Sequence, residues 1–277
     1  MFWYKGSLEG RTVFVKPFNI KPNADFVIND LVISAQMCAH INVLKPIGCC
    51  LETHPPIQVY EFAANGILQD RIYVSHVTQL QHQPMAWPSR LKIARQIAHA
   101  ISYLHTAFAR PIIHMAIHMR NILLDEHDVP KLCNFFFSVS IPEGEIDVKA
   151  DDSLRVSMFN NIPEFEATGK VTEKSDVYKF GVFLLELLTG DQSYSMTRLT
   201  IDECSSSEVY IHNSDQGCCI NEIVDPAILA WEGGASLDQQ LQAVLQLALT
   251  CTEDDPQRRP TMVDVTKELR RIERFSP

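Results

Sequence analysis

The chain has 277 residues, enough for one large domain or two lobes around a sizeable core. With 46% hydrophobic and 21% charged residues it has the composition of a folded protein and not of a disordered one. A net charge of −10 excludes a general nucleic-acid binder, which needs a basic surface to neutralise phosphates; the acidity serves solubility.

In chain order, "TVFVKPF" (Thr12 to Phe18) and "IQVYEF" (Ile57 to Phe62) are rich in β-branched and aromatic residues and are predicted strands. Between them "NADFVINDLVISAQM" (Asn23 to Met37) suits a helix, with Phe26, Val27, Leu31 and Ala35 near one face. A boundary falls near Asn65-Gly66, and from Trp87 onward the pattern turns helical. Pro88 opens a helix along which Leu91, Ala94, Ile97, Ile101 and Leu104 recur at helical spacing. "SDVYKFGVFLLELLTG" (Ser175 to Gly190) is apolar on nearly every side, as expected of a helix buried in a large domain, and Gly190 is its stop. The Ser-rich "ECSSSEV" (Glu203 to Val209) reads as a surface loop. Ser236 with Gln239 forms a capping-box pattern ahead of "LDQQLQAVLQLALTC", and a last helix covers Thr261 to Phe275.

No apolar run approaches the length needed to cross a bilayer. The start "MFWYKG" has neither the layout of a signal peptide nor the Met-Gly of a myristoylation site, so no membrane anchor is expected. The eight cysteines include the adjacent pairs Cys49-Cys50 and Cys218-Cys219 but no metal-binding spacing. Reduced thiols packed as small hydrophobes are the expectation.

The stretch "IIHMAIHMRNILLDE" (Ile112 to Glu126) carries the chemical question. An apolar pair, a His, and then an Asn followed by "ILLD" set the frame of a phosphotransfer loop, yet the position that should hold an Asp is Ala116. Around it, in order, stand "WYKGSLEGRTVFVK", "INVLKPIGCCLE" (Ile41 to Glu52), "VYEFAANGIL" (Val59 to Leu68), "KLCNFF" (Lys131 to Phe136), "IPEF" (Ile162 to Phe165), "TEKSDVYKFGVFLLELLTG" (Thr172 to Gly190), "NEIVDP" (Asn221 to Pro226) and "DPQRRPTM" (Asp255 to Met262). Together these resemble the plant receptor-like protein kinases over essentially the whole chain.

The resemblance implies an α+β, bilobal protein-kinase fold. A small β-rich N-lobe (residues 1–64), lacking the first strand and the Gly-rich loop, would precede a large helical C-lobe (65–277). It also implies a nucleotide site. Lys16 stands at the strand lysine that holds the phosphates, Asp30 at the helix Glu that pairs with it, and Asn121 at a metal position. Tyr60 would be the gatekeeper, with Glu61 and Phe62 at the adenine-facing hinge. His114 and Asp176 occupy positions that brace the catalytic loop, and Glu164 and Arg259 those of a buried ion pair.

Against this frame the losses stand out. Phosphoryl transfer needs a carboxylate for the substrate hydroxyl, metal ions on the phosphates and backbone amides over them. Ala116 can accept no proton; Asn134 replaces the metal-binding Asp and brings no charge; Phe136 replaces a pivoting glycine. Asp30 is one methylene shorter than Glu, so its pair with Lys16 should be strained or long. No metal site and no cofactor are expected, with weak ATP binding at most.

Catalytic positions have changed while bracing positions and helix patterning have not, which points to a kinase fold retained for its surface. The start "WYKG", the degraded loop and "PEG" (Pro142 to Gly144) resemble the ZED-related cytoplasmic pseudokinases, within a wall-associated-kinase-like group. That family implies a cytoplasmic adaptor of plant immunity, recruited to the plasma membrane by partners. The implied partners are a coiled-coil nucleotide-binding leucine-rich-repeat (NLR) receptor and effector-targeted receptor-like cytoplasmic kinases. The second reading is a weak or atypical Ser/Thr kinase of the wall-associated type that recruits Asp125 or Asp128 as base.

Overall fold

In the computed structural model, residues 3–17, 24–53, 56–73, 84–150, 162–190, 220–230 and 234–275 are described. Strands β1 (Tyr4–Leu8) and β2 (Arg11–Lys16) form a hairpin across Glu9-Gly10, both at positive φ (50° and 77°). A two-residue turn of that kind matches the twist of the strands it joins. Helix α1 (Ala24–Gln36), β3 (Pro46–Cys50) and β4 (Ile57–Glu61) follow, and the antiparallel sheet runs β1-β2-β4-β3. Phe18 and Asn23, the ends of two predicted elements, lie outside the described residues.

The buried face of α1 differs from the one its apolar residues suggest. Val27, Asp30, Ile33, Ser34 and Met37 face inward; Leu31 is half-buried and Ala35 exposed. Two polar residues sit on the inner face because Asp30 has charged and hydrogen-bonding partners there, described below. Helix orientation follows that pairing and not the count of apolar side chains.

The helical part begins with α2 (Leu68–Ile72) and α3 (Trp87–Thr106). Along α3, Leu91, Ala94, Ile97, Ile101 and Leu104 are all buried, as their spacing requires. A run of short elements follows: β5 (Ile112–Ile113), β6 (Ile122–Leu124), β7 (Pro130–Leu132), β8 (Val139–Ser140), β9 (Val148–Lys149), α4 (Pro163–Thr168) and β10 (Lys170–Val171). Helices α5 (Glu173–Thr189), α6 (Ile220–Ile223), α7 (Pro226–Leu229), α8 (Gly234–Cys251) and α9 (Met262–Glu273) complete the lobe.

Helix α5 starts on a Thr172/Ser175 capping box and stops at Gly190, whose φ of 66° suits glycine. It is buried all round, and Gly181 lets α8 approach so closely that an added Cβ would stand 2.6 Å from Thr252 Cγ2. Helix α3 packs on α9 and α5, which makes it the axis of the main core. Its Arg90, also buried, donates to the Leu187 carbonyl (2.9 Å) and to Asp225 of "NEIVDP" (2.6 Å).

The Ser236 capping box does not form. Helix α8 starts two residues earlier, at Gly234, and the Ser236 hydroxyl donates instead to the Phe275 carbonyl. The thiols divide: Cys133 and Cys251 are buried, but Cys38 and Cys49 are exposed, so packing does not account for all of them. The Ser-rich stretch from Glu203 to Val209 and the pair Cys218-Cys219 lie outside the described residues.

Glu164 and Arg259 form a bidentate pair, with both N–O distances 2.9 Å and the guanidinium fully buried. Arg259 also donates to the Glu253 and Lys174 carbonyls, and its guanidinium lies 4.8 Å from the Tyr178 ring centroid. The pair therefore ties the α4 segment to the segment ahead of α9. Arg259→Ala leaves the Glu164 carboxylate without its counter-charge and should lower unfolding free energy by about 3–5 kcal/mol. Denaturant unfolding checks this; an unchanged midpoint would show that the pair contributes nothing.

Candidate functional site

The cleft between sheet and helices is built from the end of β2, the inner face of α1, the segment after β7 and the loop before β6. Lys16, the last residue of β2, points at α1 and forms an ion pair with Asp30, both 0% exposed. The pair is neither strained open nor long. A shorter carboxylate suffices because α1 is held close: Asn29 donates to the carbonyls of Phe135 (3.2 Å) and Ser138 (2.8 Å). The Asp30 carboxylate also accepts the Phe135 amide (2.6 Å) and the Tyr60 hydroxyl (3.3 Å). Burial raises the Tyr60 phenol well above its ordinary value, and the Asp30 charge adds to this.

From Lys16 a second line of hydrogen bonds crosses the cleft. Its ammonium donates to Asn134 Oδ1 (2.8 Å), Asn134 Nδ2 donates to Asn121 Oδ1 (2.7 Å), and Asn121 Nδ2 donates to the Ala116 carbonyl (2.7 Å). Asn134 sits in the left-handed region (φ 77°), which Asn tolerates better than most residues. The two side-chain oxygens that would face a metal ion thus accept protein donors. A magnesium–nucleotide requires carboxylate charge at this point, and the residues here are two neutral amides and a methyl group. They do not fit the group.

The loop itself is firmly held. Asp176 of α5 accepts the amides of His114 (2.7 Å) and Met115 (3.0 Å), and His105 Nε2 lies 2.9 Å from the same carboxylate. Met115 has φ 66°, a conformation that these bonds hold in place. His114 Nδ1 accepts the Ala116 amide (3.2 Å), and its ring packs edge-on against Phe135. His105 escaped the sequence reading, although its place directly after Leu104 on the buried end of α3 was a signal.

The alternative bases are committed elsewhere. Asp125 holds the amides of His127 and Val129 in the β6–β7 turn (2.9 Å each). Asp128 accepts from Asn65 (2.8 Å) and Arg71 (3.1 Å). His118 lies 3.8 Å from Glu186. Burial, with Arg120 and Lys179 nearby, lowers the His118 pKa to about 4; burial raises Glu186 to about 7 and lowers Lys179 to about 8.

Two further residues were legible and overlooked. The lysine motif of active kinases reads Val-Ala-Ile-Lys, and here Val13-Phe14-Val15-Lys16 puts a phenyl ring where that motif has a methyl group. Phe14 lies 4.8 Å from the hinge Phe62, and Trp3 lies 5.5 Å from Phe14 and 5.7 Å from Tyr60 (ring centroids). Phe136 packs at 5.1 Å against Phe26 of α1, and Phe137 continues that cluster.

This lobed fold, its lysine–carboxylate pair and its braced loop define a protein kinase domain. The family model described as protein tyrosine and serine/threonine kinase matches residues 3–269, and the chain belongs to that family. Among relatives from Arabidopsis thaliana, it is 39% identical to "Non-functional pseudokinase ZED1", covering 99% of this chain and 81% of that protein. It is 34% identical to "Non-functional pseudokinase ZRK2" (98% and 75%) and 34% identical to "Serine/threonine-protein kinase ZRK1" (98% and 77%). Similarity extends to wall-associated kinases such as "Wall-associated receptor kinase-like 17", at 38% identity, of which the chain spans 33%.

The shifted groups make the stability of the domain depend on pH in opposite senses. His118 has a folded pKa below its unfolded value, so its contribution is complete above about 6.5 and lost as pH falls through about 4. Glu186 has a folded pKa above its unfolded value, so its contribution is complete below 4.5 and lost as pH rises through about 7. On acidification from pH 7, Glu186→Gln should lose melting temperature more steeply than the parent chain, and His118→Gln less steeply. A melting series across pH 4–7.5 measures both; equal slopes would contradict the assignment.

Proposed function

We propose that this chain is a catalytically inactive pseudokinase that acts as a binding adaptor in plant immune and receptor signalling. The observation that carries the first half is the closed line Lys16–Asn134–Asn121–Ala116, in which side chains satisfy one another where phosphates, metal and base would act. The relatives do not settle it alone, since two are named non-functional pseudokinases and a third a serine/threonine-protein kinase. The reading rests on this chain's own Ala116 and Asn134, which bring neither a base nor a metal-binding charge. Against the reading as a weak or atypical wall-associated-type kinase, Asp125 already accepts the amides of the β6–β7 turn and Asp128 accepts from Asn65 and Arg71.

The adaptor half rests on family resemblance and on the retained braces, Asp176 under the loop and Arg259 on Glu164. A dead gene would decay at both sets of positions; here only the chemistry has gone. The partners proposed are a coiled-coil NLR receptor and effector-targeted receptor-like cytoplasmic kinases. The location proposed is the cytoplasm, with recruitment to the plasma membrane through those partners. Among the described residues no helix is long and apolar enough to cross a membrane.

Purified protein should therefore transfer no phosphate to itself or to a generic substrate, in magnesium or manganese, above a mock purification. Activity above that level would end the pseudokinase reading. Installing Asp at both Ala116 and Asn134 restores a base and one metal ligand but none of the other parts, and such parts act together and not additively. The double variant should stay inactive while still capturing its natural partner in a pull-down on the same preparation. Recovered phosphotransfer would reveal a phosphate-binding element elsewhere, and loss of capture by a folded variant would place the contact in the cleft.

A further inference from the structure

The rings beside Lys16 go beyond a missing base. Phe14 leaves β2 two residues before Lys16, and Trp3 leaves the residue just ahead of β1, so both descend from the sheet into the space above the larger lobe. There they meet Tyr60 and Phe62 from the end of β4. Leu44, Ala63, Leu123 and Cys133 close the same apolar cluster from below. Leu123, on β6, is 0% exposed, Cys133 2% and Phe14 9%, so the floor is covered by protein. The Lys16 ammonium stands 5.6 Å from the Trp3 ring centroid and 5.8 Å from that of Tyr60, within cation–π range.

We propose that Trp3 and Phe14 occupy the base-binding slot with the chain's own rings. The cleft then excludes purine nucleosides and nucleotides, and a permanent aromatic core joins the two lobes in place of a ligand. This rests on the kinase-fold reading of Lys16 and the hinge. The chemistry supports it at each contact. A purine base needs a flat apolar slot, and the phosphates of a nucleotide need a cation beyond it; here indole and phenyl rings fill the slot, and the Lys16 ammonium faces the indole. A methyl-to-phenyl change inserts six carbons into a space that close packing leaves no room to share. The burial of Lys16, Leu123 and Cys133 is the expected result of that filling. Burial also pushes the Cys133 thiol up to about 12, which keeps it protonated and inert beneath the rings.

An apolar cavity opened by truncating a ring stays dry and accepts flat aromatic molecules. Calorimetric titration with adenosine therefore tests the proposal directly, since adenosine needs neither metal nor phosphate contacts. The parent chain should show no binding up to the highest adenosine concentration used, while Phe14→Ala should bind with a dissociation constant at least about tenfold below that concentration and recover melting temperature in its presence. Should Phe14→Ala fail to fold, Trp3→Ala carries the test, because its half-buried ring lies at the rim of the cluster. Phe14→Leu, which keeps most of the volume, should remain closed. Parent protein that binds adenosine as tightly as the variants overturns the proposal, and so does a folded Phe14→Ala or Trp3→Ala that binds none. Parent protein that binds magnesium–ATP without transferring phosphate overturns the filled slot and leaves the non-catalytic reading standing; phosphate transfer by the parent ends both.

Discussion

The Lys16–Asp30 pair is removed from water at the point where sheet, helix and catalytic segments meet. An ion pair in that position is sustained only when the remaining lone pairs and protons also find partners. Here they do. Asp30 accepts the Phe135 amide and the Tyr60 hydroxyl, and Lys16 reaches Asn134 as well as the carboxylate. The position of α1, the path of the segment after β7 and the packing of Tyr60 are all conditions for this single pair. Asp30 and Ser34 turn toward the interior and Ala35 toward solvent because the charge must be met, whatever the helix's apolar pattern prefers.

A second set of contacts keeps the shape of a phosphotransfer loop although position 116 carries no carboxylate. Asp176 grips two successive loop amides, and the Glu164–Arg259 pair locks the segment beyond it. These contacts act on backbone and on fold, so they are indifferent to what occupies position 116. The positions that face the cleft carry a methyl group at Ala116, an amide at Asn134 and a phenyl ring at Phe136. Each change also consumes space or donors, so the cleft is rebuilt as interior. Amides pair with one another, and aromatic rings cover what solvent or ligand would reach.

This separation suits a protein whose proposed work lies on its surface. The Coulomb and hydrogen-bond contacts that hold the loop act on backbone and fold, and on the proposed reading they would fix the outer shape that a partner reads. On the proposed reading, a cleft filled by its own side chains would fix the relation of the lobes without depending on nucleotide supply. The pH behaviour of His118 and Glu186 follows from the same burial, which penalises whichever form is charged.

Much of this was determined by sequence alone. The spacing in α3, the apolar circumference of α5 with Gly190 behind it, and the ordered motifs around Ala116 were enough to set the lobed architecture, because periodicity and short-range chemistry are local. The substitution of Phe14 in the lysine motif was equally written there, though its weight depends on what stands opposite. Tertiary structure alone decided the rest. It showed which face of α1 turns inward and that Asp30 reaches Lys16 despite its length. It also showed that Ser236 serves Phe275 instead of capping α8, and that Asp125 and Asp128 are spent on turns and surface pairs. Apart from the local turn at Asp125, each of these depends on a partner far along the chain or on the exact start of a helix, and such distances are set only when the chain closes on itself.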